Sequence, residues 1–212
     1  MRLATELHAD QAARWPREGR HILAHYDAES IVVYQAYRAS IARYAIAHGA
    51  FGGEHFSYAR MSWIKPSFLW MMYRSAWATK EGQEMTLGLR ISRRFFEHIL
   101  ANAVASSFSQ SGYANEDEWK AAVAGSEARL QWDPDHGPNG NPLARRAIQL
   151  GLRGSLLAAF GRRELMEVID LTCFVAEQRA VLVAGGSARL RTPIERVYRP
   201  VDPAAARRLG LD

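Results

Sequence analysis

Residues 60–84 read RMSWIKPSFLWMMYRSAWATKEGQE. Three of the chain's six tryptophans, Trp63, Trp70 and Trp77, lie here among Arg60, Lys65, Arg74 and Lys80. Long basic side chains are rarely fully buried without a partner. The run is therefore either a core element whose cations reach water along their stems, or the wall of a cleft for an anionic ligand. Pro66 suits the first turn of a helix, where its missing N–H costs no bond. Phe68, Leu69, Met72 and Tyr73 then share one face. A buried strand is the competing reading of so short an apolar run; helix is favoured. The spacing of seven between the tryptophans suggests a recurring helical face.

Working outward toward the C-terminus, MTLGLRI (85–91) alternates, with Met85, Leu87, Leu89 and Ile91 inward and Thr86, Gly88 and Arg90 outward, as in a half-buried strand. Residues 93–105 (RRFFEHILANAVA) form an amphipathic helix, and SSFSQSGYAN a polar loop. Asn115 is a good N-cap for EDEWKAAVAG, whose acids fall in the first turn. ARLQW (128–132) reads as a strand running into DPDHGPNGNP, the longest irregular segment. AIQLGL (147–152) is a buried strand ended by Gly154, SLLAAFG a short helix, LMEVIDLT (165–172) a strand and CFVAEQRAVLVA a helix. The tail RTPIERVYRPVDP ends in a small helix, AAARRLGL.

Toward the N-terminus, IVVYQAYR (31–38) is the clearest strand, and ASIARYAIAH (39–48) a helix closed by Gly49, with Ile41, Ala45 and His48 on one face. Residues 3–14, rich in Ala, Leu and Glu, read as helix before Pro16 and Gly19. Strands interleaved irregularly with helices, without repeats or a domain-scale linker, predict a single α+β domain over 1–212. Residues 1–20 are then a helical extension and 186–212 a tail packed on the domain.

With 48% hydrophobic and 23% charged residues in 212, the composition is that of one globular domain rather than a disordered chain. No apolar run approaches a membrane span, and the start MRLATELHADQAARW has no apolar signal core. Cys173 is the only cysteine, which excludes an internal disulfide and fits a reducing compartment. A cytoplasmic protein without a membrane partner is expected. Cys173 itself, in an apolar stretch, is expected as an inert core thiol. The formal charge of +5 permits a phosphorylated small molecule or a nucleic acid as partner. Scattered arginine pairs fit a mildly basic solvated surface equally well.

The absent motifs narrow the chemistry. No G-x-S-x-G, P-loop or G-x-G-x-x-G occurs, and the scattered histidines have no zinc-ligand spacing, so no metal is expected. Asp133, Asp135 and His136 offer oxygen and nitrogen ligands for a cation, yet simple Asx turns explain them too. Alternation places Tyr34, Ala36 and Arg38 on one face of their strand and Gln35 and Tyr37 on the other. A strand end leading into a helix N-terminus can hold phosphate. In 60–84, Arg60, Lys65, Arg74 and Lys80 could clamp phosphates while Trp63 or Trp77 stacks on a ring. Glu84, Asp133, Asp135 and His136 are the acid–base candidates.

IVVYQAYR, RMSWIKPSFLWMMYRSAWATKEGQE and LQWDPDHGPNG…RAIQLGLRG together resemble the bacterial and fungal family named domain of unknown function 4291, over residues 21–183. That resemblance implies that Tyr34, Gln35, Tyr37, Arg38, Trp63, Lys65, Pro66, Tyr73, Arg74, Gln83 and Gln149 belong to a shared site or a shared core. A likeness of shape adds a chemical expectation. A strand bearing tyrosine and arginine, then a helix and the Gly49–Phe51 turn, looks like the opening of the ADP-ribosyltransferase fold, with two small, mostly antiparallel sheets around a cleft and flanking helices. The likeness implies NAD as substrate, Arg38 holding the dinucleotide, and Tyr73 or Trp77 packing the nicotinamide. Such enzymes place a glutamate on a late strand. Here AIQLGL offers Gln149, and Glu84 is the substitute, so these two are the catalytic expectations. The leading expectation is therefore an ADP-ribosyltransferase-like protein acting on a nucleic acid. The alternatives are a non-enzymatic or nuclease-like domain binding single-stranded nucleic acid, and an enzyme acting on a phosphorylated small molecule.

Overall fold

The computed structural model describes residues 3–211. In chain order, β1 (Thr5–Leu7), α1 (His8–Ala12), β2 (Gly19–Arg20) and β3 (Ile22–Tyr26) precede the long strand β4 (Ser30–Tyr37). Then come α2 (Ala39–His48), β5 (Ser62–Ile64), α3 (Phe68–Ser75), β6 (Met85–Ser92) and α4 (Arg93–Asn102). The middle of the chain forms β7 (Ala103–Ala105), α5 (Glu116–Gly125), β8 (Ala128–His136) and β9 (Pro142–Leu152). The chain closes with α6 (Gly154–Arg162), β10 (Leu165–Asp170), α7 (Thr172–Val183), β11 (Arg191–Pro193), β12 (Arg196–Tyr198) and α8 (Pro203–Leu209).

These elements make an α+β architecture with two main sheets. One has the order β10-β6-β4-β3-β12; the other runs β2-β9-β8-β7, with β5 added to β9. Pairing within them is antiparallel except at β2–β9 and β7–β8. A two-stranded ribbon, β1–β11, ties the ends of the chain together. The larger apolar core brings Val33, Leu87 and Leu89 of the first sheet together with Leu130, Trp132 and Ile148 of the second and Phe96 and Ile99 of α4. A second core covers the opposite face of the first sheet, where Val32 and Tyr34 meet Phe68 and Met72 of α3 and Val175 of α7. Each such large buried side chain stabilises the fold by roughly 1.5–3 kcal/mol.

Local signals account for several boundaries. Ser92 and Asn115 cap α4 and α5 by accepting from the backbone N–H of Phe95 and Glu118, and Gly49 ends α2 at φ 63°. The helix favoured in 60–84 is present, but it starts at Phe68 with Ser67 in the capping position, so Pro66 lies before α3 rather than in its first turn. The cap of α3 is tertiary, however: no side chain at its own start accepts a bond, and the carboxylate of Glu195 accepts from Phe68 N–H at 2.7 Å.

Elsewhere the fold overrides the sequence pattern. Residues 3–14 are a strand and a short helix rather than one helix, because Thr5–Leu7 pairs with β11. The helix expected over 93–105 stops at Asn102, where Ala103–Ala105 joins β8 in parallel. Thr86 and Gly88 are buried rather than outward, since both faces of their sheet are covered; a Cβ on Gly88 would lie 3.2 Å from Leu171. The segment expected to be irregular from Asp133 is strand as far as His136, with a register shift around Pro134 absorbing its missing donor. The buried face of α2 is Ala42 and Ala45, while His48 is exposed and stacks on Tyr44. The tryptophans do not share a helical face: Trp63 is on β5, Trp70 on α3, and Trp77 follows α3 in left-handed backbone. Cys173 is exposed, not a core thiol, because the residues that α7 turns inward are Val175 and Gln178.

Candidate functional site: a polar cleft where two sheets meet

The strand β5 belongs to both halves of the molecule. Its residues Ser62–Ile64 pair with Leu152–Leu150 of β9. Immediately after it, Lys65 forms an isolated bridge with Tyr34 of β4, with Tyr34 N–H donating to Lys65 O at 2.7 Å and Lys65 N–H to Tyr34 O at 3.2 Å. A cleft of about 540 Å³ opens beside this junction. Gln35 and Tyr37 line it from β4, Met61, Ser62, Trp63 and Lys65 from β5 and its flanks, and Trp70, Met71 and Arg74 from α3. Gln83, Gln131, Asp133 and Gln149 complete it.

Sheet register explains the second wall. Gln131 lies opposite Gln149, and Asp133 is two residues along β8, so all three share one face. Both amides then converge on one carboxylate: Gln131 Nε2 donates to Asp133 Oδ1 at 2.8 Å and Gln149 Nε2 to Oδ2 at 2.7 Å. Trp63 lies across from Gly151. A Cβ there would stand 2.6 Å from Met61 Sδ and 3.0 Å from the Trp63 ring, so glycine is what lets these side chains lie flat on β9.

The first wall is a chain of polar contacts. Gln35 Nε2 donates to Ser62 Oγ at 2.7 Å and to Trp63 O at 3.1 Å, and Ser62 Oγ shares a 2.9 Å bond with Tyr37 Oη. Burial pushes the Tyr37 hydroxyl up to about 12, so it stays protonated. Two buried polar atoms of cleft residues have no partner, the acceptor Gln35 Oε1 and the donor Trp70 Nε1. Lys65 is only 6% exposed. Its Nζ donates to Trp63 O at 3.3 Å. Burial first, and the nearby Arg74 cation second, lower its amine to about 8, against the opposing pull of Asp133.

Of the residues singled out from sequence, the structure gathers Gln35, Tyr37, Trp63, Lys65, Arg74 and Gln149 at this cleft, together with Gln83. Asp133, one of the acid–base candidates, lines it too, while the remaining candidates lie elsewhere. Tyr34 points into the α3-side core, as strand alternation requires, where its hydroxyl adjoins Glu195 and burial raises it well above the ordinary tyrosine value. Arg38 is exposed and its guanidinium approaches Gly82, next to the cleft residue Gln83. Tyr73 is outside the cleft, stacked on His136 at 3.4 Å between ring centroids. Trp77 donates to Pro138 O at 3.1 Å and, with Tyr73, borders a separate depression behind α3. Glu84 is exposed and accepts from Gly82 N–H at 2.6 Å; it turns the chain into β6 and does not line the cleft.

The Asp133–Asp135–His136 group does not converge as a cation loop. Asp135 is committed to Arg145, which donates to Oδ2 from Nε at 2.8 Å and from Nη2 at 2.6 Å, and Asp133 is held by the two glutamines. No group of three or more His, Cys, Asp or Glu able to hold a metal is present among the described residues, and none of their helices is long and apolar enough to cross a membrane. Ser62 and Gln131 carried no sequence signal of their own. Gln131 becomes recognisable only once Gln149 is placed opposite it.

A larger cavity of about 950 Å³ lies between α4, α5 and α6. Of the two carboxylates that line it, Glu127 is occupied by the start of α6, accepting from Ser155 N–H, Ser155 Oγ and Leu156 N–H. The cleft at β5 is the better chemical candidate, because its Lys65 amine and Asp133 carboxylate face one cavity. These features define an α+β domain with a polar cleft at the junction of two sheets. The chain belongs to the family described as Domain of unknown function (DUF4291), which matches residues 21–198. Among curated proteins, none matches the chain.

Proposed function

We propose that the cleft binds NAD and that the protein is an ADP-ribosyltransferase-like enzyme, with a nucleic acid as acceptor. The observation that carries this reading is Asp133, a carboxylate held by two glutamine amides in the cleft between the sheets. It takes the part expected of Glu84 or Gln149. Cleaving the nicotinamide–ribose bond sends the bonding pair to the ring nitrogen and leaves positive charge on the ribose carbon and ring oxygen. A carboxylate fixed beforehand stabilises that charge without reorganising. The acceptor's lone pair then bonds to the ribose carbon and its proton passes to a base, for which Asp133 is in place.

The other walls fit the rest of the dinucleotide. Trp63 offers a flat apolar face, and Arg74, with Arg38 by Gln83 at the rim, offers cations for the diphosphate. The net charge of +5 favours a polyanionic acceptor. Calorimetric titration with NAD, followed by nicotinamide release from labelled NAD with mixed nucleic acids, tests the reading. Asp133→Asn is expected to keep NAD affinity within a few fold and to slow release at least about 100-fold. No binding at millimolar NAD, or undiminished release by the variant, rejects it.

A further inference from the structure

We propose that Lys65 is a reactive amine that condenses with the aldehyde of a ring-opened ribose phosphate to form an imine within the cleft. The inference goes beyond the transferase reading and does not require it.

The geometry singles out this amine. Lys65 is buried, lines the cleft, and has no salt bridge to a carboxylate among the described residues. Its backbone is clamped by two hydrogen bonds to Tyr34 and followed by Pro66, so the side chain starts from a rigid point. A solvated surface lysine costs a fold nothing. A buried one without a bound counter-ion is kept at the expense of stability, which calls for a use. An anion-binding role alone would be served as well by arginine. Desolvation next to a second cation is the arrangement that frees a lysine lone pair near neutral pH.

The charged and titratable groups facing Lys65 are Arg74 from α3, Asp133 from β8 and Tyr37 from β4. Arg74 disfavours the ammonium form and Asp133 favours it, with burial the largest influence. Tyr37 stays neutral in this range. The lining also names the ligand. Gln131 and Gln149 present amides suited to sugar hydroxyls, and exposed Arg74 at the same cleft suits a phosphate. In the step itself, the neutral Nζ attacks the aldehyde carbon, a C–N bond forms, and the carbonyl π pair moves to oxygen and is protonated. The resulting carbinolamine loses water to give the imine. No oxidant or reductant is consumed.

The chain has three lysines, Lys65, Lys80 and Lys120, which makes the test direct. The wild-type protein is incubated with ADP-ribose, ribose 5-phosphate or ribose under cyanoborohydride at pH 6–9, and the reduced adduct is mapped by peptide mass spectrometry. A single adduct at Lys65 is expected, forming about fivefold faster at pH 8 than at pH 7 as the neutral amine rises with a midpoint of about 8. Both phosphates are expected to outpace ribose, and Arg74→Gln to erase that advantage while slowing all three reactions near neutral pH, because the cation that disfavours the Lys65 ammonium form is then gone. A faster reaction with ADP-ribose assigns the nucleoside diphosphate form, and a faster one with ribose 5-phosphate the free pentose phosphate. Labelling shared with Lys80, Lys120 and the amino terminus, or a flat pH profile at Lys65, overturns the proposal. Trapping needs no NAD, so a Lys65 adduct without NAD binding rejects only the transferase reading. NAD turnover without the adduct rejects only this one.

Discussion

Glu195→Gln is expected to make the protein more stable, by a margin that widens with pH. Glu195 is 3% exposed. Its Oε1 accepts from Phe68 N–H at 2.7 Å, its own N–H donates to Gln11 Oε1 at 2.7 Å, and its carbonyl accepts from Trp15 Nε1 at 2.9 Å. Burial, then the Asp135 charge, push its carboxyl up from the ordinary 4.5 to about 8, against the Phe68 N–H and the Arg145 cation. The folded state therefore holds a proton that the unfolded chain has already released by pH 6. Stability falls as pH rises wherever the folded state binds more protons, at about 1.4 kcal/mol per pH unit per proton. The loss attributable to Glu195 thus runs from pH 4.5 up to about 8, and between pH 6 and pH 9 it amounts to about 2–3 kcal/mol. For a chain of this size that is about 5–10 °C in Tm. A glutamine keeps an acceptor for Phe68 N–H and never ionises. Lys65 works the other way: its lowered value means the fold penalises the ammonium form, so its contribution improves as pH climbs from about 8 to 10.5. The measurement is accordingly the difference between wild type and Glu195→Gln, by thermal denaturation at half-unit steps from pH 6 to 9, in which the Lys65 contribution cancels. Parallel curves for the two proteins would refute a protonated Glu195 and the burial argument with it.

Further outcomes follow from particular contacts. Gly151→Ala puts a methyl 2.6 Å from Met61 Sδ and 3.0 Å from Trp63; it should cost about 1–3 kcal/mol and shift the tryptophan emission as Trp63 moves, which chemical denaturation and fluorescence read together. Ala76, Trp77 and Ala78 all have left-handed backbone, at φ 48°, 54° and 61°. Ala76→Gly relieves one of these positions and should raise stability by about 1 kcal/mol in urea unfolding, with no gain counting against strain there. Arg145→Met strands the buried Asp135 carboxylate and should cost about 3–5 kcal/mol. The double variant with Asp135→Leu should recover most of that, as a double-mutant cycle would measure.

The parts of the fold readable in sequence are those decided by short-range physics. The alternation in IVVYQAYR separates Gln35 and Tyr37 from Tyr34, and the structure sends the first two to the cleft and the third to the core. Asn115 and Gly49 mark helix ends because a cap acts on the backbone within a few residues. The run 60–84 also advertised a site, since Lys65 and Arg74 stand among residues too apolar to leave charges unexplained. What the pattern could not show is why Thr5–Leu7 is a strand, since its partner is nearly the whole chain away. Trp63, Trp70 and Trp77 suggest one face by spacing alone, yet they belong to a strand, a helix and a left-handed turn.

The site divides along the same line. Sequence by itself determined an α+β chain in which aromatic and cationic residues cluster at 60–84 and Tyr34–Arg38, because side-chain periodicity is a property of the local backbone. Tertiary structure alone decided that Asp133 is the carboxylate of the cleft, since only the β8–β9 register brings Gln131 and Gln149 onto it. It likewise removed Glu84, Tyr73 and Trp77 from the cleft, and it placed Glu195, distant in sequence, as the cap of α3. Register and packing sum many weak contacts between remote segments, and no stretch of sequence carries that sum.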